Sequence, residues 1–268
     1  MPWQPTQIRR PDEALKTATD TVRVGTDAGP GYLKALGNHG GPHLLAAELV
    51  GTYLAGWFDL PIFDFAIVNV TDEDEITFLN GERAQLGPAF VSRAESGMTW
   101  GGTAEELQLL INPEDIGRLV VFDTWTRNCD RHPPDLAFRK PNRGNVFFSN
   151  REMPDGRFRL IAMDHTHCFD CGRDLTAGID RIDLVQDERI FGLFPEFKPL
   201  VQAHWQAVEA AVEKLLTIDR QWVLGVVAQI PLAWEVSPEG RAALANQIVN
   251  RATYVAETIG PSLQATLN

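Results

Sequence analysis

Asn128-Cys129-Asp130-Arg131-His132-Pro133-Pro134, then Gly144-Asn145-Val146-Phe147-Phe148, then Leu160-Ile161-Ala162-Met163-Asp164-His165 are the stretches that decide how this chain is read. An aspartate in a polar loop, a carboxamide downstream and a second aspartate closing an apolar strand are the parts that hold Mg2+ and a nucleoside triphosphate. In this reading Asp130 orients or deprotonates an acceptor hydroxyl, while Asn145 and Asp164 ligate the metal. The apolar positions Leu119, Val120, Phe122 and Trp125 predict a rigid helix that delivers Asp130 into its loop. Arg131 and His132 are expected to touch the γ-phosphate or to stabilise Asp130.

Working upstream, Lys34 lies in an apolar strand-like segment, and Glu48 is the single acidic residue between Leu44 and Phe58. A lysine so placed reaches the α- and β-phosphates, and a lone carboxylate in an apolar helix is expected to hold it there. Thr21–Val24 and Tyr32–Leu36 read as a hairpin around the turn Gly25-Thr26-Asp27-Ala28-Gly29-Pro30-Gly31. Gly25, Gly29 and Gly31 are expected to let backbone N–H groups approach a phosphate. Thr26 is by position a candidate for self-phosphorylation. The turn matches neither G-x-G-x-x-G nor a Walker A pattern.

Periodicity supplies the rest of the framework. Residues 1–20 read as a polar leader with one short helix. Residues 43–58 have helical spacing and stop before Pro61, and Phe65–Val70, Glu75–Leu79 and Ala89–Arg93 read as short strands. Beyond them, 103–110 and 113–128 read as helices, the second with Asn112 as cap and Pro113 in its first turn. Val146–Ser149 and Phe158–Met163 form a strand pair around Pro154-Asp155-Gly156, and 197–217, 218–230 and 237–258 read as further helices. The predicted fold class is α+β with two lobes of one catalytic unit: residues 1–95, mainly β, and residues 96–268, mainly helical. The seven tryptophans are expected in the core.

A chain of 268 residues with 44% hydrophobic and 22% charged residues can bury a sizeable core. Its formal net charge of −12 argues against a general nucleic-acid or anionic-membrane binder. Locally, Arg139, Lys140 and Arg143 form a basic cluster suited to an anionic substrate. Three cysteines, an odd number, and no signal-peptide pattern at Met1-Pro2-Trp3-Gln4 give the expectation of a cytoplasmic protein. His165, His167, Cys168 and Cys171 are ligand types for Zn2+ at close spacing, which makes a zinc protein a competing reading. The paired-ligand spacing of a strong zinc motif is absent.

Gly-Tyr-Leu-Lys34, Ala-Ala-Glu48-Leu, Asn-Cys-Asp130-Arg-His132, Gly-Asn145-Val-Phe and Ala-Met-Asp164-His together resemble the motifs of HipA-like kinases, especially the compact single-chain members. The Asp-Arg-His element is also distantly similar to that of phosphatidylinositol 3-/4-kinases. The resemblance covers about residues 20–170. It implies a bilobal protein-kinase-like fold, ATP and Mg2+ as cofactors, and a protein serine or threonine as acceptor. Carried over by position, it makes Lys34 a phosphate ligand, Glu48 its orienting partner, Asp130 the acid/base, and Asn145 and Asp164 the magnesium ligands. Adenine is expected beside the inter-lobe connection near Ser92–Glu95. An antitoxin-like or regulatory partner is a further expectation drawn from relatives.

Two departures set rival expectations. Fourteen residues, Arg131–Gly144, separate Asp130 from Asn145, a longer gap than in the family, so this insert must loop out. Asn142 is an alternative to Asn145. The His-Arg-Asp, Asp-Phe-Gly and Ala-Pro-Glu sequences of ordinary protein kinases are absent. A small-molecule or lipid kinase, or a nucleotide-binding pseudokinase without turnover, therefore stands beside the protein kinase as an alternative.

Overall fold

The computed structural model describes residues 3–17 and 19–267. Its N-terminal part is a five-stranded antiparallel sheet of β1 (Ile8–Ala14), β2 (Val22–Thr26), β3 (Gly29–Lys34), β4 (Phe65–Val70) and β5 (Gly87–Arg93), in the order β1-β2-β3-β5-β4. Between β3 and β4 runs helix α1 (Pro42–Trp57). A second antiparallel sheet, β6 (Gly97–Thr99), β7 (Val146–Ser149) and β8 (Arg159–Ala162), follows the inter-lobe connection. The C-terminal part is helical: α2 (Ala104–Leu107), α3 (Asp115–Thr126), α4 (Cys168–Cys171), α5 (Ile182–Val185), α6 (Lys198–Ala203), α7 (Trp205–Leu215), α8 (Arg220–Ala228) and α9 (Pro238–Leu267). This is the α+β, bilobal arrangement that the sequence predicts. Among the described residues, no helix is long and apolar enough to cross a membrane.

Two apolar clusters organise the molecule. The smaller lies on the five-stranded sheet and joins Trp3, Val24, Leu33 and Val91 to Ile76 and Phe78 of the β4–β5 connection. The larger runs from α1 through Phe122 and Trp125 of α3 to Trp234 and the α7–α9 helices. Helix α1 belongs to the larger one because it is apolar all round, and such a helix must be enclosed on every side. That enclosure forces the single acid of α1, Glu48, to find its partner inside the protein.

Several elements depart from the periodicity reading, each for a physical reason. Strand β1 lies within the expected leader. It is an exposed edge strand carrying Arg9, Arg10, Pro11 and Asp12, with two register shifts, so no apolar alternation announces it. Glu75–Leu79 forms no strand. Ile76 and Phe78 point into the small core from a loop that makes one isolated bridge, Thr77 to Arg83. The helix expected over 197–217 breaks at His204, whose φ and ψ of −114° and 38° are not helical. Helix α9 continues through Pro261 to Leu267. Asn112 is not the cap of α3, which begins at Asp115 after Glu114; the Asn112 side chain joins two elements instead. Its amide donates to the Asp115 carboxylate at 2.6 Å and accepts from the Leu160 N–H at 2.9 Å, fixing α3 to β8.

Candidate active site

Each polar side chain of the cleft is set by the end of an element. Lys34 is the last residue of β3, and its Nζ lies 3.0 Å from Glu48 Oε2 and 3.2 Å from Asp164 Oδ1. Asp164 follows β8 in the left-handed region, at φ 56°, a conformation that costs energy in a non-glycine residue and turns the carboxylate back toward Lys34. The next backbone N–H, of His165, donates to Glu48 Oε2 at 2.8 Å, so α1 and the Asp164 turn are fastened twice. Close approach is possible because α1 carries Gly51 there. A Cβ at that position would sit 2.4 Å from the His165 Cβ.

Burial and charge act against one another in this triad. Burial opposes the charge on Lys34, but the Asp164 and Glu48 carboxylates outweigh it and hold the ammonium above its usual range. Burial likewise opposes the charge on Asp164. Lys34 and the Thr166 hydroxyl, which donates to Oδ1 at 2.7 Å, bring its carboxyl well below the ordinary range. Burial pushes the Glu48 carboxyl up, and Lys34 is the main group resisting that. His165 is buried against Phe122 with neither ring nitrogen hydrogen-bonded, and burial lowers its pKa to about 3.

The second half of the site is built on amides. Asn145, in a 3-10 turn before β7, donates to Asp130 Oδ2 at 2.7 Å. Asn142 donates to the same oxygen at 3.1 Å and to Asn145 Oδ1 at 3.0 Å, so both candidate asparagines reach the site. Asp130 Oδ1 is paired with Arg139 Nε at 2.9 Å. The insert loops out as required, pinched at its base by the Asn142 N–H donating to the Arg131 carbonyl at 2.9 Å.

These residues share one cavity of about 500 Å3 between the two sheets. Lys34, Glu48, Asp130, Asn142, Asn145 and Asp164 line it, as do Ser92 and Glu95 at the connection. Its apolar walls are Tyr32, Phe63, Phe65, Phe90, Phe147 and Met163, with Phe65 and Phe90 stacked, their centroids 5.6 Å apart. Glu95 also accepts from Ser149 Oγ at 2.7 Å and pairs with Arg151 at 3.0 Å, tying the connection to β7.

The structure places several of the expected site residues away from the cavity. Gly25, Gly29 and Gly31 do not line the cavity. Gly25 and Gly29 lie toward the far end of the β2–β3 hairpin, where a five-residue strand at about 3.3 Å per residue puts the turn roughly 15 Å from the cleft end, and Gly31 sits within β3 one residue before the cavity-lining Tyr32. Gly31 is there because the chain is crowded: a Cβ would meet Val91 Cγ2 at 2.8 Å and Trp3 at 3.3 Å. Thr26 caps the same turn, donating to the Gly29 carbonyl at 2.6 Å, away from the site. The turn that faces the cavity is the β1–β2 connection, with Leu15, Lys16, Thr17 and Thr21. It is braced by hydroxyls in place of glycines. Thr21 N–H donates to Thr17 Oγ1 at 2.8 Å, and Thr17 Oγ1 donates to Thr21 Oγ1 at 3.0 Å. Threonines at alternate positions 17, 19 and 21 ahead of a strand were the available signal.

Arg131 points inward, not to the cleft. It is 0% exposed, pairs with Asp123 at 2.7 Å, and donates to the carbonyls of Asn145 and Met163, the latter at 3.1 Å. It braces the Asn145 and Met163 backbones from the core side. His132 packs edge-on against Phe194, with centroids 4.9 Å apart, and does not line the cavity. The histidine beside Asp130 is His167, whose Nδ1 lies 4.0 Å from Asp130 Oδ2 and within 3.0 Å of the Thr166 hydroxyl. Burial lowers its pKa and keeps it neutral.

The zinc reading fails on geometry. Among the described residues no three His, Cys, Asp or Glu side chains are grouped to hold a metal. His165 faces Phe122, His167 faces Asp130, Cys168 donates to Thr126 Oγ1 at 3.5 Å, and Cys171 lines a separate cavity with Cys129. Oxygen ligands are what the cleft offers: the Asp164 carboxylate, with 26% of its side chain open, and the Asn145 amide. That donor set fits Mg2+, a hard cation that takes few protein ligands and completes its shell with phosphates and water.

Comparison with known proteins agrees with this arrangement. The crystal structure of a Helicobacter pylori proinflammatory kinase, CtkA, superposes with a TM-score of 0.61 at 12% identity, covering 98% of each chain, which is a likeness of fold. No curated protein sequence matches this one. The family described as HipA-like kinase matches residues 27–258, most of the chain including every cleft residue from Lys34 to Asp164. The chain therefore belongs to the HipA-like kinase family.

Proposed function

We propose that this kinase uses ATP and Mg2+ and transfers the γ-phosphoryl group to a serine or threonine hydroxyl of a protein. The observation that carries the reading is the Lys34 ammonium, bracketed by Glu48 and Asp164 on the same cavity that Asp130 and Asn145 enter. A cavity of about 500 Å3 with aromatic walls and a polar floor has the size and lining of a nucleotide site. The aromatic walls and the Ser92–Glu95 connection would enclose adenine. Lys34 would donate to the phosphates while Glu48 holds its position. Lys16 and the Thr17–Thr21 turn would cover the phosphates from above.

Asp164 and Asn145 would hold the metal, which when bound neutralises charge on the phosphates. Arg131 keeps the two ligand segments in register from behind. Asp130 would orient the acceptor hydroxyl and take its proton, a contribution of about 10²–10⁴-fold for a positioned base. Its Oδ1 must first be released by Arg139. Leu136 and Phe138 stand exposed on the insert beside Asp130, and this apolar surface supports a macromolecular acceptor. A regulatory partner protein and a cytoplasmic setting are part of the same proposal.

The Arg139–Asp130 ion pair favours one other reading, a nucleotide-binding protein whose acceptor carboxylate is permanently closed. Incubation with radiolabelled ATP and Mg2+, with and without candidate protein acceptors, separates the two. Label transferred by the wild type and lost in Asp130→Ala supports the kinase. ATP binding by calorimetry without label transfer or phosphate release supports the closed form. Label accepted by lipids or small molecules but by no protein refutes the protein acceptor.

A further inference from the structure

Cys129 immediately precedes Asp130, and Cys171 lies seven positions after Asp164, so the two thiols belong to the two segments that carry the site's carboxylates. They converge: both line a separate cavity of about 210 Å3 with Arg127, Arg173 and Arg189. Cys129 is buried, whereas Cys171 is partly open at the cavity wall. Cys171 Sγ lies 4.0 Å from the Arg127 carbonyl, and Arg139 reaches Cys129 Sγ at 3.8 Å while pairing with Asp130 at 2.9 Å.

We propose that Cys129 and Cys171 form a peroxide-sensitive dithiol whose closure to a disulfide locks the Asp130 loop to the segment after Asp164 and slows phosphoryl transfer. The division of labour follows from the contacts. The neighbouring Cys129 thiol lowers the Cys171 pKa, with Arg127 also favouring its thiolate. Cys171, together with burial, raises that of Cys129. The more open sulfur is thus the attacking one, as thiolate chemistry requires. Cys171 sulfur attacks one oxygen of hydrogen peroxide, the O–O bond breaks, and hydroxide leaves to become water, giving a sulfenic acid. Cys129 sulfur then displaces the sulfenic hydroxyl, its own proton leaving with that group as a second water. Two thiols and one peroxide give one disulfide and two waters.

The backbone around Cys171 is able to respond. Phe169 at φ 71° and Cys171 at φ 54° are strained non-glycine residues in this segment, which ends at Gly172. Arg127 and Gln247 restrain it by donating to the Phe169 carbonyl at 3.0 and 3.1 Å. Pulling Cys129 toward Cys171 also draws it from Arg139, the residue that closes Asp130. The oxidisable pair is therefore wired to the acceptor carboxylate, while Cys168, bonded to Thr126, stands apart. A protein thiol pair in a reducing compartment is commonly a transient sensor, not a permanent staple.

The effect on transfer rests on the kinase reading, but the bridge itself does not, and the test keeps them apart. The full chain is treated with graded hydrogen peroxide, free thiols are alkylated, and peptides are mapped without reductant. A Cys129–Cys171 linked peptide is expected, lost with dithiothreitol, absent in Cys171→Ser and retained in Cys168→Ser. Transfer by the oxidised wild type should fall at least about tenfold, since small misplacement of reacting groups is costly, and recover on reduction, while Cys171→Ser stays unaffected by peroxide. Separate alkylation of both thiols, a link through Cys168, or irreversible oxidation of Cys171 alone would overturn the dithiol. A bridge that leaves transfer unchanged would overturn its control. A bridge in a chain that shows no transfer even when reduced sinks the kinase reading and leaves the dithiol standing.

Discussion

The two halves of the cleft hold their carboxylates by different means. Around Lys34, Glu48 and Asp164 the partners are charges: one ammonium between two carboxylates, drawn from β3, α1 and the turn after β8. Around Asp130 they are amides, Asn142 and Asn145, plus Arg139 from a looped insert. The first half, with its formal charges counted, retains one uncompensated negative charge, which the proposed metal ion would offset. The second is neutralised by a half-exposed side chain that can leave. Under the proposed function, one half would be a fixed receptor for cation and phosphate, and the other a gate.

The largest expected effect tests the fixed half. Asp164→Ala should abolish label transfer from ATP while the circular-dichroism spectrum and cooperative unfolding persist, and wild-type transfer by that variant would remove the metal assignment. Next comes the gate. Asp130→Ala should lower the transfer rate about 10²–10⁴-fold with nucleotide affinity within about twofold of wild type, read by single-turnover kinetics and calorimetry. A comparable loss of ATP affinity would mean that the halves are not separable.

A pH series sharpens the contrast through stability. His165, beside Asp164, is held neutral in the fold with a pKa of about 3, below the ordinary value of about 6.5. As pH falls below about 6.5 the unfolded chain binds a proton that the folded chain refuses, so stability declines until pH reaches about 3. The slope from this group is about 1.4 kcal/mol per pH unit, measurable by urea unfolding between pH 6 and 4. His165→Phe should flatten that slope, and an unchanged slope would place the acid sensitivity elsewhere. The smallest effect distinguishes the two turns of the first sheet. Lys16→Ala should raise the KM for ATP a few-fold, at roughly 1 kcal/mol for a solvent-facing charge contact. Gly25→Ala, where an added Cβ meets only Arg10 side-chain atoms at 3.3 Å and beyond, should leave that KM unchanged.

Those two turns also show where sequence reading reaches its end. A glycine-rich stretch between two strands carries the same local signature whether it cradles a phosphate or packs under a tryptophan. Gly31 needs to be small because Trp3 and Val91 approach it, and neither is its neighbour in sequence. Strand β1 was hidden because an edge strand with charged faces buries almost nothing, and without β1 the cleft-facing turn cannot be identified. Arg131 and His132 illustrate the same limit. A polar loop residue adjoining Asp130 is expected at the reaction centre, but the helix end at Arg127, with φ 54°, rotates the following residues so that Arg131 enters the core.

What the amino-acid order determined by itself is the identity of the candidate site groups: an acid isolated in an apolar helix, a lysine ending an apolar strand, an aspartate in the polar loop after a helix, and an asparagine and a second aspartate at the edges of strands. Such groups are legible because burying an unpaired charge is costly, so their placement at element ends already implies a partner. Tertiary structure alone decided which partners they met. Whether an arginine braces the site or touches it, which turn covers the cavity, and which histidine faces Asp130 depend on how two sheets and α1 are clasped across a gap of 130 residues between Lys34 and Asp164. Chain proximity carries no information about contacts at that separation; packing of the shared core supplies it.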